Sequence, residues 1–382
     1  MNFELSEEHE MVRSTVKKFA RGDLASVAER MDRDDYFPED MFRKLGGLGM
    51  LGITVPTEYE GAGLDYISQT VCLEELARVS PAFALSVGAH SNLCLDNLYR
   101  NGSREQREAY VPRLATGKLI GCLGLTEPES GSDSLAMRTA AKRSGDAYIL
   151  SGSKTFITNA PVADICLVYA KTRPDLKTKG ISAFVVEASY SGFRKGKKFD
   201  KMGMRGSPTG EIYFDDCSVP AINLVGRENG GVSIVMSGLN VERATLSGIS
   251  LGIQAEVLEL AARYAMKRKQ FGTPISEFEM IQEKIATMWV DLEASRLLIY
   301  RALDMLQKGR GRNREAAAAI MYAAAASTRS ALDAIQIMGG NGYMREFNVE
   351  RLMRDAKLLE IGAGTTEIRK LIIAREVLNS LT

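Results

Sequence analysis

Glu360-Ile361-Gly362-Ala363-Gly364-Thr365-Thr366-Glu367-Ile368-Arg369, followed by the run Leu371-Ile372-Ile373-Ala374-Arg375-Glu376, puts two glycines into a helix-rich region. In a helix interior each glycine costs about 1 kcal/mol relative to alanine. Such a break is expected where backbone has to approach another group closely, so that its N–H donors can be aimed at it. Taken alone, Gly-x-Gly also fits an ordinary helix terminus. Its company bears on that choice: Gln336-Ile337-Met338-Gly339-Gly340-Asn341-Gly342-Tyr343 and Arg354-Asp355-Ala356-Lys357 lie just upstream.

Outward from this stretch, a chain of 382 residues is long enough for several domains and a large buried core. Lys+Arg 49 against Asp+Glu 48 leaves a formal charge of +1, so no global basic excess points to nucleic acid. Cys72, Cys94, Cys122, Cys166 and Cys217 are scattered without a CxxC pair, which fits reduced thiols in a cytoplasmic setting. The start, Met1-Asn2-Phe3-Glu4-Leu5-Ser6-Glu7-Glu8, is acidic and has no apolar core, so a signal peptide is not expected. No apolar run approaches the length of a membrane span. His9 and His90 are the only histidines, so neither a His-based metal site nor Ser-His catalysis is expected.

Residues 1–121 read as helices. Ser6 is placed to cap the first, with His9 at the capping-box position and Met11, Val12, Thr15, Val16 and Phe19 as its apolar stripe. Phe42, Leu45, Leu48, Leu51 and Ile53 mark a second helix ending in a glycine-rich turn, and Val55 to Leu64 reads as a surface loop. His90 is expected to be a hydrogen-bonded structural residue. From 122 to 227 the chain turns rich in Thr, Ser and Gly, with short β-branched runs at Tyr148–Leu150, Thr155–Thr158, Ile165–Tyr169, Ile181–Val186 and Glu211–Phe214. These predict a small β-barrel or sandwich. From 228 to 382 alanine and leucine dominate, and Pro274 is the only proline, which predicts a helical bundle. The fold class is therefore α+β and multidomain.

Three segments could carry chemistry. Leu123-Gly124-Leu125-Thr126-Glu127-Pro128-Glu129-Ser130-Gly131-Ser132-Asp133 is a strand end followed by a Pro/Gly turn crowded with hydroxyls, able to converge donors on an anion or a flat heterocycle. Gly152-Ser153-Lys154-Thr155-Phe156-Ile157-Thr158-Asn159 stands beside it. Arg268-Lys269-Gln270-Phe271-Gly272 ends a helix with basic residues and glycine, as a dipole-favoured C-terminus does.

Together these segments resemble the acyl-CoA dehydrogenase family, over essentially the whole chain. The resemblance implies a helical N-terminal domain, a central β domain and a C-terminal four-helix bundle. It implies that Leu123, Leu125, Thr126, Gly131 and Ser132, with Phe156, Ile157 and Thr158, hold FAD. Thr126 and Thr158 would bond to the ring edge, and Ser132 would lie toward the CoA thioester. Phe156 stands where many members have tryptophan, so an aromatic face is kept. Arg268 and Phe271 would reach FAD on a neighbouring subunit, with Gln336, Gly339 and Gly340 at the far end of the cofactor and Thr365 and Glu367 completing the contacts. A cofactor shared in this way implies a homo-oligomer, in the family a tetramer built from two dimers.

Many members carry the catalytic glutamate where Ala363 stands here. A carboxylate of raised pKa is needed to remove a proton beside a thioester. Leu239-Asn240-Val241-Glu242-Arg243-Ala244-Thr245-Leu246 offers one. Read without the resemblance, Glu242-Arg243 is an ordinary acidic–basic pair on a helix, usually solvent-facing. In a subset of the family, notably the isovaleryl-CoA and long-chain dehydrogenases, the base sits on this adjacent helix. Gly88 to Cys94, Met202 to Ser207 and Met236 to Leu239 extend the match toward the isovaleryl-CoA branch. Glu242 is thus the implied base, with the backbone N–H of Ala363 or Gly364 bonding the thioester oxygen and hydride passing to flavin N5. Asn240, Val241, Arg243, Gly362, Ala363 and Gly364 would line the substrate, an acyl-CoA. Electrons would pass to an electron-transferring flavoprotein. Two other readings use the same fold: a dehydrogenase of acyl or aminoacyl groups on a carrier protein, and a flavoprotein of low activity that binds DNA or a partner.

Overall fold

A computed structural model describes residues 4–311 and 313–381; Met1, Asn2 and Phe3 of the acidic start lie outside them. Helix α1 (Glu7–Phe19) opens with the expected capping box, the Ser6 hydroxyl accepting from the His9 N–H and His9 Nδ1 accepting from the Ser6 N–H. Its buried face is Val12, Val16 and Phe19, whereas Met11 is turned to solvent, contrary to the expected stripe. A π turn, Ala20–Leu24, leads into α2 (Ala25–Asp34), and α3 (Glu39–Gly47) buries Phe42 and Leu45 but leaves Leu48 outside. Asp65 caps α4 (Tyr66–Ala77), and Pro81 begins α5 (Pro81–Gly88) at the first turn, where its missing N–H costs nothing. A π segment, Ala89–Asp96, carries the chain into α6 (Asn97–Asn101) and α7 (Arg104–Ala115). His90 is fully buried on that segment, accepting from the Gly121 N–H at 2.9 Å and bonded to the Leu114 carbonyl at 3.0 Å. Burial pushes its pKa down to about 4, so it is a neutral structural residue.

The strands are β1 (Gly121–Gly124), β2 (Ala140–Ser144), β3 (Ala147–Thr158), β4 (Ile165–Lys171), β5 (Ile181–Glu187), β6 (Phe193–Lys198), β7 (Thr209–Pro220) and β8 (Leu224–Val225). Antiparallel β6-β7-β3-β2 forms one half and β4-β5-β8, with β1 parallel to β4, the other. Among the described residues, only the strand pair Ala140–Lys171 joins the halves. Between them lie Cys166, Val168, Phe184, Tyr148, Leu150 and Phe214. The opposite face of β4 and β5, with Leu167, Tyr169 and Val185, packs on Leu98, Tyr110 and Leu114 from the helices. Burial on both faces explains the unbroken apolar run of β4. The separate runs Tyr148–Leu150 and Thr155–Thr158 are one strand, irregular at Gly152. There φ is +146° and a Cβ would lie 2.7 Å from the Thr139 hydroxyl, so only glycine fits.

Helix α8 (Gly231–Lys267) is followed by a short hairpin, β9 (Lys269–Gln270) and β10 (Thr273–Pro274). Then come α9 (Glu279–Gln307), α10 (Asn313–Met338), α11 (Val349–Leu359) and α12 (Thr366–Asn379). The bundle is built on the long helices α8, α9 and α10, with α11 and α12 laid on α10. Helix α4 packs along α8 from the N-terminal region, so Val71, Leu73, Leu76 and Ile249, Ile253 and Val257 belong to one core. Among the described residues no helix is long and apolar enough to cross a membrane, and no cluster of side chains suits a metal ion.

Candidate active site

Between α11 and α12 the chain turns through Glu360–Thr365. Ala363 has φ +56° and Gly364 +93°, so two consecutive residues are left-handed. Thr365 then caps α12, its hydroxyl accepting from the Ile368 N–H at 3.4 Å. Two arginines hold carbonyls at this turn: Arg243 Nε donates to that of Ala363 at 3.1 Å, and Arg369 donates to those of Leu359, at 2.8 Å, and Gly362. The N–H groups of Ala363 and Gly364 meet no acceptor among the described residues. Two free donors on consecutive residues of a half-buried left-handed turn suit an oxyanion.

The Arg243 bond brings α8 to this turn, and Glu242 is its neighbour on that helix. Glu242 is 2 % exposed, and its Oε2 has no hydrogen-bond partner. Burial pushes its pKa up to about 8, with the Asn92 amide pulling weakly the other way. Arg243 is itself buried and bonded to Ala363, so Glu242-Arg243 is not the solvated acidic–basic pair that spacing alone suggests. Asn92 lies on the π segment against α8 and donates to the Thr245 hydroxyl at 2.8 Å, one turn from Glu242. Asn240 is half-buried with Oδ1 unpartnered, while Val241 is buried. Asn92 and Arg369 escaped the sequence reading: an amide on a packed helix and an arginine in an amphipathic one carry no local sign of what they touch.

On the β domain, Lys154 is fully buried, its Nζ 2.8 Å from Glu127 Oε1 and 3.1 Å from the Leu125 carbonyl. Glu127 also accepts from the N–H groups of Arg138, at 2.5 Å, and Thr139, at 2.9 Å. Thr155 N–H donates to the Thr126 carbonyl at 2.9 Å. The turn Thr126–Ser132 is thereby fastened to β3. Leu123, Leu125 and Ile157 turn their side chains into the two cores, so they offer the site backbone only. Phe156, at φ +56°, is exposed and lies against Phe199 with ring centroids 5.3 Å apart. Gly131 and Ser132 are exposed, a Cβ at Gly131 would touch nothing within 4 Å, and Thr126 and Thr158 are half-buried. An open turn of donors beside an exposed aromatic ring fits a planar heterocycle carrying phosphates.

The remaining residues lie elsewhere. Arg268 and Phe271 are on the exposed β9–β10 hairpin, Phe271 being 96 % exposed. At about 1.5 Å per residue they stand roughly 39 Å along α8 from Glu242. Gln336, Gly339 and Gly340 share that end of the bundle, where the Asn341 amide donates to the Tyr264 hydroxyl at 3.0 Å, and they are exposed too. Glu367 is exposed on the first turn of α12, where backbone N–H and the Thr365 hydroxyl hold its pKa down. The single chain therefore brings Arg243 to Gly362–Gly364, with Glu242 next to Arg243 on α8, and separately joins the β-domain set, but leaves Arg268, Phe271, Gln336, Gly339 and Gly340 facing outward.

Three family models match in succession: the acyl-CoA dehydrogenase N-terminal domain at residues 6–118, the middle domain at 122–217 and the C-terminal domain at 229–378. The chain belongs to the acyl-CoA dehydrogenase family. It is thus of a flavin-dependent oxidoreductase class. Isovaleryl-CoA dehydrogenase of Pongo abelii, a mitochondrial protein, is 46 % identical over 377 residues, covering 97 % of this chain and 89 % of that one. A solved chain described under the electron transferring flavoprotein of Acidaminococcus fermentans superimposes with a TM-score of 0.97 at 38 % identity, covering 99 % and 100 %. PigA, solved as an FAD complex, gives 0.95 at 32 % identity, covering 99 % of each chain.

Proposed function

We propose that this protein is an FAD-dependent dehydrogenase of short, branched acyl-CoA thioesters, with isovaleryl-CoA first, and that Glu242 removes the α-proton. One observation carries this reading: a fully buried carboxylate with an unpartnered oxygen and a pKa near 8 stands next to the residue that ties down the Gly362–Gly364 turn. A buried glutamate of that kind is a proton acceptor matched to neutral pH. Similarity to isovaleryl-CoA dehydrogenase supports the substrate.

The Ala363 or Gly364 N–H binds the thioester oxygen and draws electrons from the α-carbon. Glu242 then takes the α-proton, and the product is the 2-enoyl thioester. FAD, when bound, supplies the acceptor for the β-hydride. Thr126, Gly131, Ser132, Phe156 and Thr158, with backbone of Leu123, Leu125 and Ile157, would hold it. Arg268, Phe271, Gln336, Gly339 and Gly340, together with Thr365 and Glu367, complete the contacts. The outward set serves a neighbouring subunit, consistent with a homotetramer. An electron-transferring flavoprotein is the proposed acceptor of the reducing equivalents. The five cysteines are buried free thiols, which supports a reducing, cytoplasmic location.

Steady-state rates on a panel of acyl-CoAs with an artificial electron acceptor test the reading. Isovaleryl-CoA should give the highest kcat/KM, with straight short chains as graded competitors. Best turnover of octanoyl-CoA or a longer chain would refute the substrate assignment.

A further inference from the structure

We propose that Asn92 is the positioning residue for the Glu242 carboxylate, and that Thr245 fixes which end of the Asn92 amide faces α8. The inference rests on Glu242 as the base, proposed above. Asn92 is buried on the π segment, and such segments shift side chains out of helical register, frequently at functional sites. Gly88 lets this stretch lie close to α8. A Cβ there would meet Leu246 at 3.2 Å and stand 3.9 Å from Asn92 Nδ2.

An asparagine amide can turn either its oxygen or its two N–H donors toward a neighbour, and the surrounding bonds decide which. Here the Thr245 hydroxyl decides. It donates its single hydrogen to the Val241 carbonyl at 2.9 Å, along α8. Its oxygen is left to accept, so the Asn92 atom 2.8 Å away is Nδ2. One N–H of that group goes to Thr245, and the other serves Glu242, one turn back on the same helix. Burial raises the Glu242 pKa, and the hydrogen bond from Asn92 is the interaction that lowers it again. The nearby charges are engaged elsewhere. Arg243 is bonded to the Ala363 carbonyl, Arg369 of α12 to those of Leu359 and Gly362, and Asp96 of the π segment to Arg100. His90, on the same segment, is buried and neutral. An N–H donor stabilises a carboxylate more than the neutral acid. Asn92 therefore opposes burial, keeping a share of Glu242 ionised and holding that carboxylate in one orientation before substrate arrives. A reversed amide would set Oδ1 against it and favour the protonated, inactive form.

The test is the pH profile of kcat/KM for flavin-loaded protein, using the best acyl-CoA of the panel above. Asn92→Leu removes the donor at similar size. Its acid limb should move up by about 0.5–1 pH unit, and its rate at neutral pH should fall about 3–10-fold. Thr245→Val, which frees the amide to turn, should move the limb the same way, whereas Thr245→Ser should restore the parental profile. Infrared difference titration of the Glu242 carboxyl in substrate-free protein should give the same order of midpoints. Packing damage alone would lower the rate at every pH and leave the limb in place. An unmoved limb in Asn92→Leu would overturn the proposal, as would equal limbs in the two Thr245 variants, which decide alone if Asn92→Leu does not fold. An acid limb that persists in Glu242→Gln would defeat the base assignment itself. A limb lost there but unmoved at Asn92 would defeat only the role of Asn92.

Discussion

Lys154 Nζ lies 2.8 Å from Glu127 Oε1, and both residues are buried. The pair joins β3 to the turn Thr126–Ser132, the two segments proposed to hold the flavin. Lys154→Met should leave the Glu127 carboxylate buried without its cation. Removing one partner of a buried pair costs about 3–5 kcal/mol. Lower thermal stability and loss of flavin from the purified protein are expected, with partial recovery in Lys154→Met/Glu127→Gln. A single variant that keeps full flavin content at parental Tm would contradict this coupling.

Glu242→Gln keeps size and most hydrogen bonding but cannot accept a proton. The variant should fold, retain flavin and bind product, yet bleach its flavin about 10²–10⁴ times more slowly on adding substrate. Introducing Ala363→Glu into that background restores a carboxylate at the place other members of the family use. Partial recovery is expected, limited because a larger side chain must enter at φ +56°. Near-parental bleaching by Glu242→Gln would send the search for the base elsewhere.

The raised pKa of Glu242 has a stability consequence of definite sign. The folded protein keeps this proton up to about pH 8, while the unfolded chain releases it near 4.5. Its contribution to stability is therefore fully present below about 4.5 and is lost as pH rises through about 8. The Tm of Glu242→Gln minus that of the parent should grow across that window, and a flat difference would count against the shift. In the free enzyme kcat/KM should rise over the same range as the base ionises.

Substrate shape is testable at Gly362, on the turn proposed to line the substrate. A Cβ there would meet only the Leu358 carbonyl at 3.5 Å, and no positive φ opposes a side chain. Gly362→Tyr should fold and narrow the space beside the β-carbon. The preference for isovaleryl-CoA over straight chains should fall by about 1–3 kcal/mol in kcat/KM. An unchanged ratio would place the methyl branch elsewhere.

Phe271, almost wholly exposed, is the natural probe of a shared cofactor site. Phe271→Asp should lower flavin content and oligomeric order together, measured by absorbance and light scattering, without unfolding the subunit. A stable monomer with stoichiometric flavin would contradict sharing.

The order helices, strands, helices was readable because strand-forming runs cluster between residues 122 and 227, and because the segment after Gly230 holds a single proline. Glu242 was found through family resemblance; its burial is a product of packing between α8 and the π segment, which no local pattern encodes. The runs Tyr148–Leu150 and Thr155–Thr158 read as separate strands, whereas the backbone at Gly152 lets β3 continue past Thr139. Met11 and Leu48 matched apolar spacing yet face outward, since periodicity marks a face only to within one side chain. The cations behind the Gly362–Gly364 turn were invisible for a simpler reason. Their acceptors are main-chain carbonyls, which every residue possesses.

The packing of α4 along α8 also bears on how the chain comes into being. Leu73 and Leu76 leave the ribosome long before Ile249 and Ile253, with which they share a core. At about 5–20 residues per second the interval is on the order of 10–30 s. Throughout it the N-terminal helices lack the α8 side of their interior, while the residues of the inter-sheet core of the β domain have all been made. Nascent subunits therefore pass through a stage with a finished middle and an unfinished start, and it is then that chaperone protection would matter most.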